Sequence, residues 1–168
     1  MEVTENTRIM IVSDTHRAHG NLKRALEAEG HIDLLIHLGD SEGKAGEILD
    51  MIDCPLEIVA GNCDSAFSDL SREKEIRIGN YNVLLTHGHM YRVSLSLEYI
   101  LQDARGMGMD IVMFGHTHRP VVENKNGVIA VNPGSISYPR QQDRRPSYMM
   151  MEFDRLGDPF FTIKYIDV

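Results

Sequence analysis

The sequence predicts an α/β sandwich, and three observations carry that prediction. Short apolar runs alternate with helical periodicity in the first part of the chain, hairpin signals replace that alternation later, and several strand-like runs stop at residues of metal-binding type. Strands buried on both faces read as continuous apolar runs, and their alternation with helices is the pattern of a parallel sheet. Hairpins impose antiparallel pairs. We therefore expect parallel strands first and antiparallel strands later.

RIMIVSD (8–14) is the first strand, ending in polar residues. NLKRALEAE (21–29) follows with Leu22, Ala25 and Leu26 at helical spacing, and Gly30 is placed to end that helix. DLLIHLGD (33–40) is a second strand, 45–51 a short helix and LEIVAGN (56–62) a third strand. KEIRIGNYNVLLTHG (74–88) reads as two strands about Gly79-Asn80, and VVENKNGVIAVN (121–132) as two more about Asn126-Gly127. Between them lie a helix over 94–105 and the strand DIVMFGH (110–116). SYMMMEFD and FFTIKYIDV close the chain as two strands joined through Gly157-Asp158-Pro159. The ten methionines are most simply core filler.

A length of 168 residues suits one domain with a proper core, and 42% hydrophobic with 25% charged residues argues against wholesale disorder. A formal net charge of −8 disfavours a surface laid along a nucleic acid polymer or an anionic membrane. No secretory signal precedes the first strand, and no apolar run reaches the roughly 18 residues that cross a bilayer. Two cysteines, Cys54 and Cys63, are too few for a disulfide framework. The expected setting is cytoplasmic.

Five of the strands end in Asp14-Thr15-His16, Gly39-Asp40, Gly61-Asn62, Thr86-His87-Gly88-His89 and Gly115-His116-Thr117-His118. Ligands of open α/β sheets bind beyond the carboxyl ends of parallel strands, so these ends should meet at one edge. Extended backbone would aim Asp14 with His16, and His116 with His118, at a common point. The set of Asp14, Asp40, His16, His87, His116, His118 and Asn62 exceeds what one tetrahedral zinc takes and suits two divalent ions sharing a carboxylate. Two such ions about 3.5–4 Å apart clamp a phosphoryl group and hold a hydroxide.

With those motifs in series (DTH, GD, GNCD, THGH and GHTH) the sequence resembles the calcineurin-like metallophosphoesterases, in particular their small single-domain phosphodiesterase branch of bacteria and archaea. The resemblance runs from Asp14 to about Ser135 and implies one domain over 1–168, with two sheets flanked by helices in four layers. It implies Asp14, His16, Asp40 and His118 at one metal and Asp40, Asn62, His87 and His116 at a second, with Asp40 bridging. Manganese is the leading expectation, and iron, zinc, cobalt and nickel tolerate the same ligands. The implied reaction is in-line attack of a metal-bridging hydroxide on a small phosphodiester, with some phosphomonoesterase activity. Similar proteins are often homodimers or tetramers. The alternative of another class is a non-catalytic scaffold or adaptor that retains the fold; a eukaryotic retromer subunit resembles the family while lacking ligand histidines, whereas all seven positions are intact here.

Much of the wider family has histidine after the asparagine, held to protonate the leaving oxygen and oriented by the next Asp. Here Cys63 and Asp64 occupy those positions. Asp40, Asn62, Cys63 and Asp64 are accordingly the expected catalytic residues, with Cys63 lining the pocket rather than serving as a nucleophile, since Asp64 would raise its pKa. Good leaving groups should be favoured over poor ones. Among the other polar residues, His37 reads as packed, His31 as a surface residue, and His19 as a residue of the entrance loop. His89 falls near the site without the ligand role. Asn132-Pro133-Gly134-Ser135 matches a stretch that closes the site in similar proteins, and Arg140 is placed to bind a phosphate oxygen or to be solvated among Arg144 and Arg145.

Overall fold

Alternating residues of the same strand enter different cores, and that division builds the molecule. Ile9 and Ile11 point into one buried cluster while Met10 and Val12 point into another; Met149 and Met151 divide from Met150 in the same way. The structure, a computed structural model, describes residues 1–64 and 69–167. Its strands form two sheets of five. In the first, β1 (Arg8–Val12) pairs in parallel with β2 (Leu34–His37), and β2 with β3 (Leu56–Ile58). On the other side of β1 the C-terminal hairpin, β9 (Ser147–Phe153) and β10 (Pro159–Tyr165), adds two antiparallel strands.

The second sheet has the order β4-β5-β6-β8-β7. β4 (Glu73–Ile78) and β5 (Tyr81–Thr86) form one hairpin, β7 (Pro120–Lys125) and β8 (Val128–Pro133) the other, with β6 (Ile111–Met113) between them. β5, β6 and β8 run parallel. The expected division into early parallel and late antiparallel strands is therefore corrected. Each sheet is mixed: in the second, each hairpin contributes one strand to the parallel core and leaves the other antiparallel beside it, whereas in the first the C-terminal hairpin adds both its strands through antiparallel pairing.

The inner faces of the two sheets meet across a shared apolar layer: Ile36, Leu38 and Val59 against Val83, Leu85 and Met113. α1 (Gly20–Glu29) and α2 (Ala45–Leu49) cover the outer face of the first sheet through Leu22, Ala25 and Ile48. α3 (Glu98–Gly106) covers the second through Ile100, Leu101 and Ala104. The result is the expected sandwich of sheets with helices outside. α3 begins later than position 94: a 3-10 turn over His89–Tyr91 comes first, and the Ser96 hydroxyl accepts from the Glu98 backbone amide at 3.1 Å. A serine bonded to the backbone two residues on offers an alternative to helix and starts the helix after itself. No helix of the described residues is long and apolar enough to cross a membrane.

Candidate metal centre

The carboxyl ends of β1, β2, β5 and β6 come to one rim, because the parallel cores of the two sheets deliver them side by side. Backbone bonds knit the rim: the Asp14 amide donates to the Gly39 carbonyl (3.1 Å), His16 to Asp40 (2.9 Å) and Gly115 to His87 (3.1 Å). The chain is not extended there. Asp14, His16, Asp40, His116 and His118 all have positive φ, between 44° and 67°. That corrects the extended-backbone reading of the Asp14/His16 and His116/His118 pairs: left-handed turns, not strand alternation, bring each pair to one point. Such a conformation costs a non-glycine residue about 1–2 kcal/mol and is concentrated at functional sites. Gly61 permits a close approach, since a Cβ there would lie 2.1 Å from Asp40 Oδ1.

Three histidines are fixed through Nδ1. His87 Nδ1 meets the Leu38 carbonyl at 2.7 Å, His118 Nδ1 the Tyr138 carbonyl at 2.6 Å, and His16 Nδ1 the Glu42 carboxylate at 2.8 Å. Because carbonyls and carboxylates only accept, Nδ1 carries the proton and Nε2 is presented inward. Nε2 of His118 lies 3.0 Å from Asp14 Oδ1, that of His87 lies 3.4 Å from Asp40 Oδ2, and that of His16 lies 3.8 Å and 3.7 Å from the two carboxylates. Asp14, His16 and His118 form one compact triad of potential ligand atoms, and Asp14, Asp40 and His87 another.

Asp14 is fully buried and Asp40 nearly so. Burial alone would raise the Asp14 carboxyl, but the close approach of His118 and the charge of His87 outweigh that and hold it below the usual range. Burial likewise opposes ionisation of Asp40, and the bonded His87 overrides it, leaving the carboxyl well below its ordinary value. For His87, burial favours the neutral ring, and the bonded Asp40 with the nearby Asp14 reverses this and raises its pKa. Asp14 Oδ1 and His16 Nε2 have no hydrogen-bond partner although both are buried. A buried polar atom left so calls for an explanation, and a cation between these groups supplies one. The donor set fits divalent metal.

The remaining expected residues are placed as follows. Asn62 Oδ1 lies 3.1 Å from His87 Nε2, on the same rim. The His116 ring stands 5.2 Å from that of His87, and its backbone amide donates to Asp14 Oδ2 at 3.2 Å; its ring is not a member of the compact ligand groups found among the described residues. Cys63 is exposed; its amide donates to Asp40 Oδ1 at 2.8 Å, and its sulfur lies close to His16 and Asp40. Burial, followed by Asp40, Glu42 and Asp64, pushes the thiol up to about 11. Asp64, expected among the catalytic groups, accepts four hydrogen bonds from neighbouring loops. Its Oδ2 accepts from the amides of Asp40 (2.7 Å) and Gly61 (2.8 Å), and its Oδ1 from the Ser41 hydroxyl (3.0 Å) and the Glu42 amide (2.5 Å).

His37 is buried between Thr15 Oγ1 (3.1 Å) and the Gly39 amide (3.3 Å), a packed histidine. His31 is exposed, and His89 stands beside His87 with ring centroids 5.5 Å apart. His19 is buried, with Glu47 3.4 Å from its Nδ1, rather than open at an entrance. The 132–135 stretch fastens the rim: Asn132 Nδ2 donates to the Gly115 carbonyl (2.8 Å) and Ser135 Oγ to the Asp14 carbonyl (2.9 Å). Glu42 was invisible as a partner of His16 in the sequence, although its place two residues after Asp40 put it beside a ligand. The carbonyls of Leu38 and Tyr138 carry no sequence signal at all.

The calcineurin-like phosphoesterase superfamily domain matches residues 7–156. A probable metallophosphoesterase of Bacillus subtilis (strain 168), YsnB, is 34% identical over 161 residues, covering 95% of this chain and 90% of its own. The phosphodiesterase YfcE of Escherichia coli (strain K12) is 27% identical, with 89% and 90% covered. Among solved structures, a predicted phosphoesterase of Streptococcus pneumoniae TIGR4 superposes with a TM-score of 0.78 at 25% identity, covering 95% of this chain and 88% of that one. A single mutant of Vps29 from Entamoeba histolytica shares the fold, with a TM-score of 0.76 at 23% identity and coverage of 96% and 100%. With the family domain matching residues 7–156 and a relative 34% identical over nearly the whole chain, the chain belongs to the calcineurin-like phosphoesterase superfamily.

Proposed function

We propose that this chain is a phosphodiesterase dependent on two divalent metal ions, acting on small phosphodiesters and to a lesser degree on monoesters. The supporting observation is the set of three histidines pinned at Nδ1, which present Nε2 to two buried carboxylates, with Asp14 Oδ1 and His16 Nε2 buried and without a hydrogen bond. In this reading Asp14, His16, Asp40 and His118 hold one ion, and Asp40, Asn62, His87 and His116 the other. When bound, such ions polarise phosphoryl oxygens and lower the pKa of water, which supplies a nucleophile near neutral pH. The mixed imidazole and carboxylate donors suit manganese, iron, zinc, cobalt and nickel, with manganese preferred.

The protein's own groups set the rest. Leu38, Tyr138 and Glu42 keep the rings oriented, and Asp64 holds the Asp40 and Gly61 loops against each other. The residue after Asn62 is a thiol rather than an imidazole, a weaker acid for a departing alkoxide near neutral pH. Diesters with acidic leaving groups are therefore the better substrates. The test is hydrolysis of bis-(p-nitrophenyl) phosphate by purified protein with manganese. Chelation should abolish turnover and fresh metal restore it; turnover that survives thorough metal stripping would overturn the proposal.

A further inference from the structure

His16 and His118 open onto a cleft of about 1000 Å³ whose wall carries Arg119, Arg140 and Arg144. All three are exposed. Among the described residues the arginine ion pairs are made by Arg8, Arg17, Arg145 and Arg155, and by none of these three. The one carboxylate of the cleft, Glu42, is already engaged by His16 (2.8 Å) and Arg17 (2.9 Å). Three uncompensated cations thus gather on one wall of a protein whose net charge is −8.

The wall is tied to the metal rim. The Arg140 amide donates to the His118 carbonyl at 3.0 Å, and Arg119 Nε donates to the Arg140 carbonyl at 3.3 Å. Arg119 also directly follows His118 in the chain. The Arg119 guanidinium and the Arg140 backbone are therefore tied to the segment that carries a ligand histidine. Guanidinium groups match the oxygens of a phosphate in a planar, bidentate fashion that ammonium groups do not. A diester has a single negative charge, and the Asp–His cluster with its cations already provides for it.

We propose that the arginine wall is a second-anion subsite, so that the substrates of this centre are phosphodiesters bearing a further phosphate, with the scissile group at the Asp–His cluster and the other phosphate on Arg119, Arg140 and Arg144. This rests on the phosphodiesterase reading of the centre. It narrows the substrates from small diesters in general to those with a phosphate elsewhere on the molecule.

Calorimetric titration of the manganese-loaded protein with adenosine 5′-monophosphate and adenosine 3′,5′-bisphosphate isolates the second phosphate. The bisphosphate should bind about tenfold more tightly, which is what one added charge-assisted hydrogen bond confers. Raising the salt should shrink that ratio, since exposed charges are screened. In the double variant Arg119→Ala/Arg140→Ala the ratio should fall towards one, with Arg140→Lys intermediate and thermal melting confirming that both variants fold. A wild-type ratio near one, or a ratio unchanged in the double variant, overturns the subsite while bis-(p-nitrophenyl) phosphate turnover still stands. Absence of turnover with every metal, alongside an arginine-dependent bisphosphate preference, supports the subsite and overturns the phosphodiesterase reading instead.

Discussion

Replacing Asp64 with alanine separates a brace from a catalytic group. The buried carboxylate accepts from three backbone amides, those of Asp40, Gly61 and Glu42, and from the Ser41 hydroxyl. The hydroxyl can turn to another acceptor; the amides cannot. A buried donor left unsatisfied costs about 1–3 kcal/mol, and water entering the vacated volume recovers part of it. Three amides together give about 3–5 kcal/mol for Asp64→Ala, a large share of the roughly 5–15 kcal/mol by which domains are stable. Asp64→Asn should lose less, because one acceptor oxygen remains while its amide nitrogen faces donors. The measurement is urea unfolding of metal-stripped protein, so that altered metal affinity contributes nothing and an unchanged m-value certifies the comparison. A loss below about 1 kcal/mol, with turnover abolished, would refute bracing and return Asp64 to a role in the chemistry.

Other perturbations probe the same rim. Gly61→Ala would put a Cβ 2.1 Å from Asp40 Oδ1 and 2.5 Å from the Asp40 amide, so one loop must move; metal affinity by calorimetry should fall more than about tenfold with every ligand intact, and undiminished affinity would contradict the packing. Cys63→Ala should stay within about threefold of wild type on activated diesters, under about 0.7 kcal/mol of barrier, whereas a loss as deep as that of Asp40→Ala would give the thiol a part in turnover. Burial holds His37 down to about 4 against 6.5 in the unfolded chain, so as the pH falls the unfolded state takes the proton first. Stability is intact above about pH 6.5 and declines towards pH 4, by about 3 kcal/mol in all. His37→Gln should remove that part of the acid dependence in metal-free unfolding, and parallel curves for the two proteins would refute it.

What the sequence revealed divides along physical lines. Gly79-Asn80 and Asn126-Gly127 marked their hairpins because turn chemistry is local, and β4/β5 and β7/β8 flank those turns. The pairing of β9 with β1 joins strands more than a hundred residues apart, and nothing local specifies it. The same contrast holds at the rim. Asp14, Asp40, His87 and His118 were legible as ligand types at strand ends, and the structure groups them. The left-handed backbone of Asp14, Asp40 and His118 was not, since a residue type that tolerates that conformation does not by itself demand it as glycine turns do. The four donors to Asp64 were not legible for a related reason: they belong to loops that only the fold brings beside it.

The rim as folded carries costs of two kinds that bear on each other. Five candidate ligands hold positive φ, each at about 1–2 kcal/mol, and two carboxylates are buried within reach of the same histidines. The strain is held by the sandwich beneath, whose apolar layer runs directly up to Leu38 and Val59 below the ligands. The charge has no such support. Without metal it is met by a proton on His87, whose pKa the carboxylates raise, and that contribution is present below about pH 6.5 and lost as the pH climbs through the raised value. Metal binding must displace the same proton, so affinity rises over the range in which the metal-free rim weakens. At a free metal concentration of 100 times Kd, binding to the folded state alone adds about 2.7 kcal/mol of stability. A cluster strained in backbone and crowded in charge is thus held in shape in advance, and what it lacks in its own electrostatics is what a divalent cation brings.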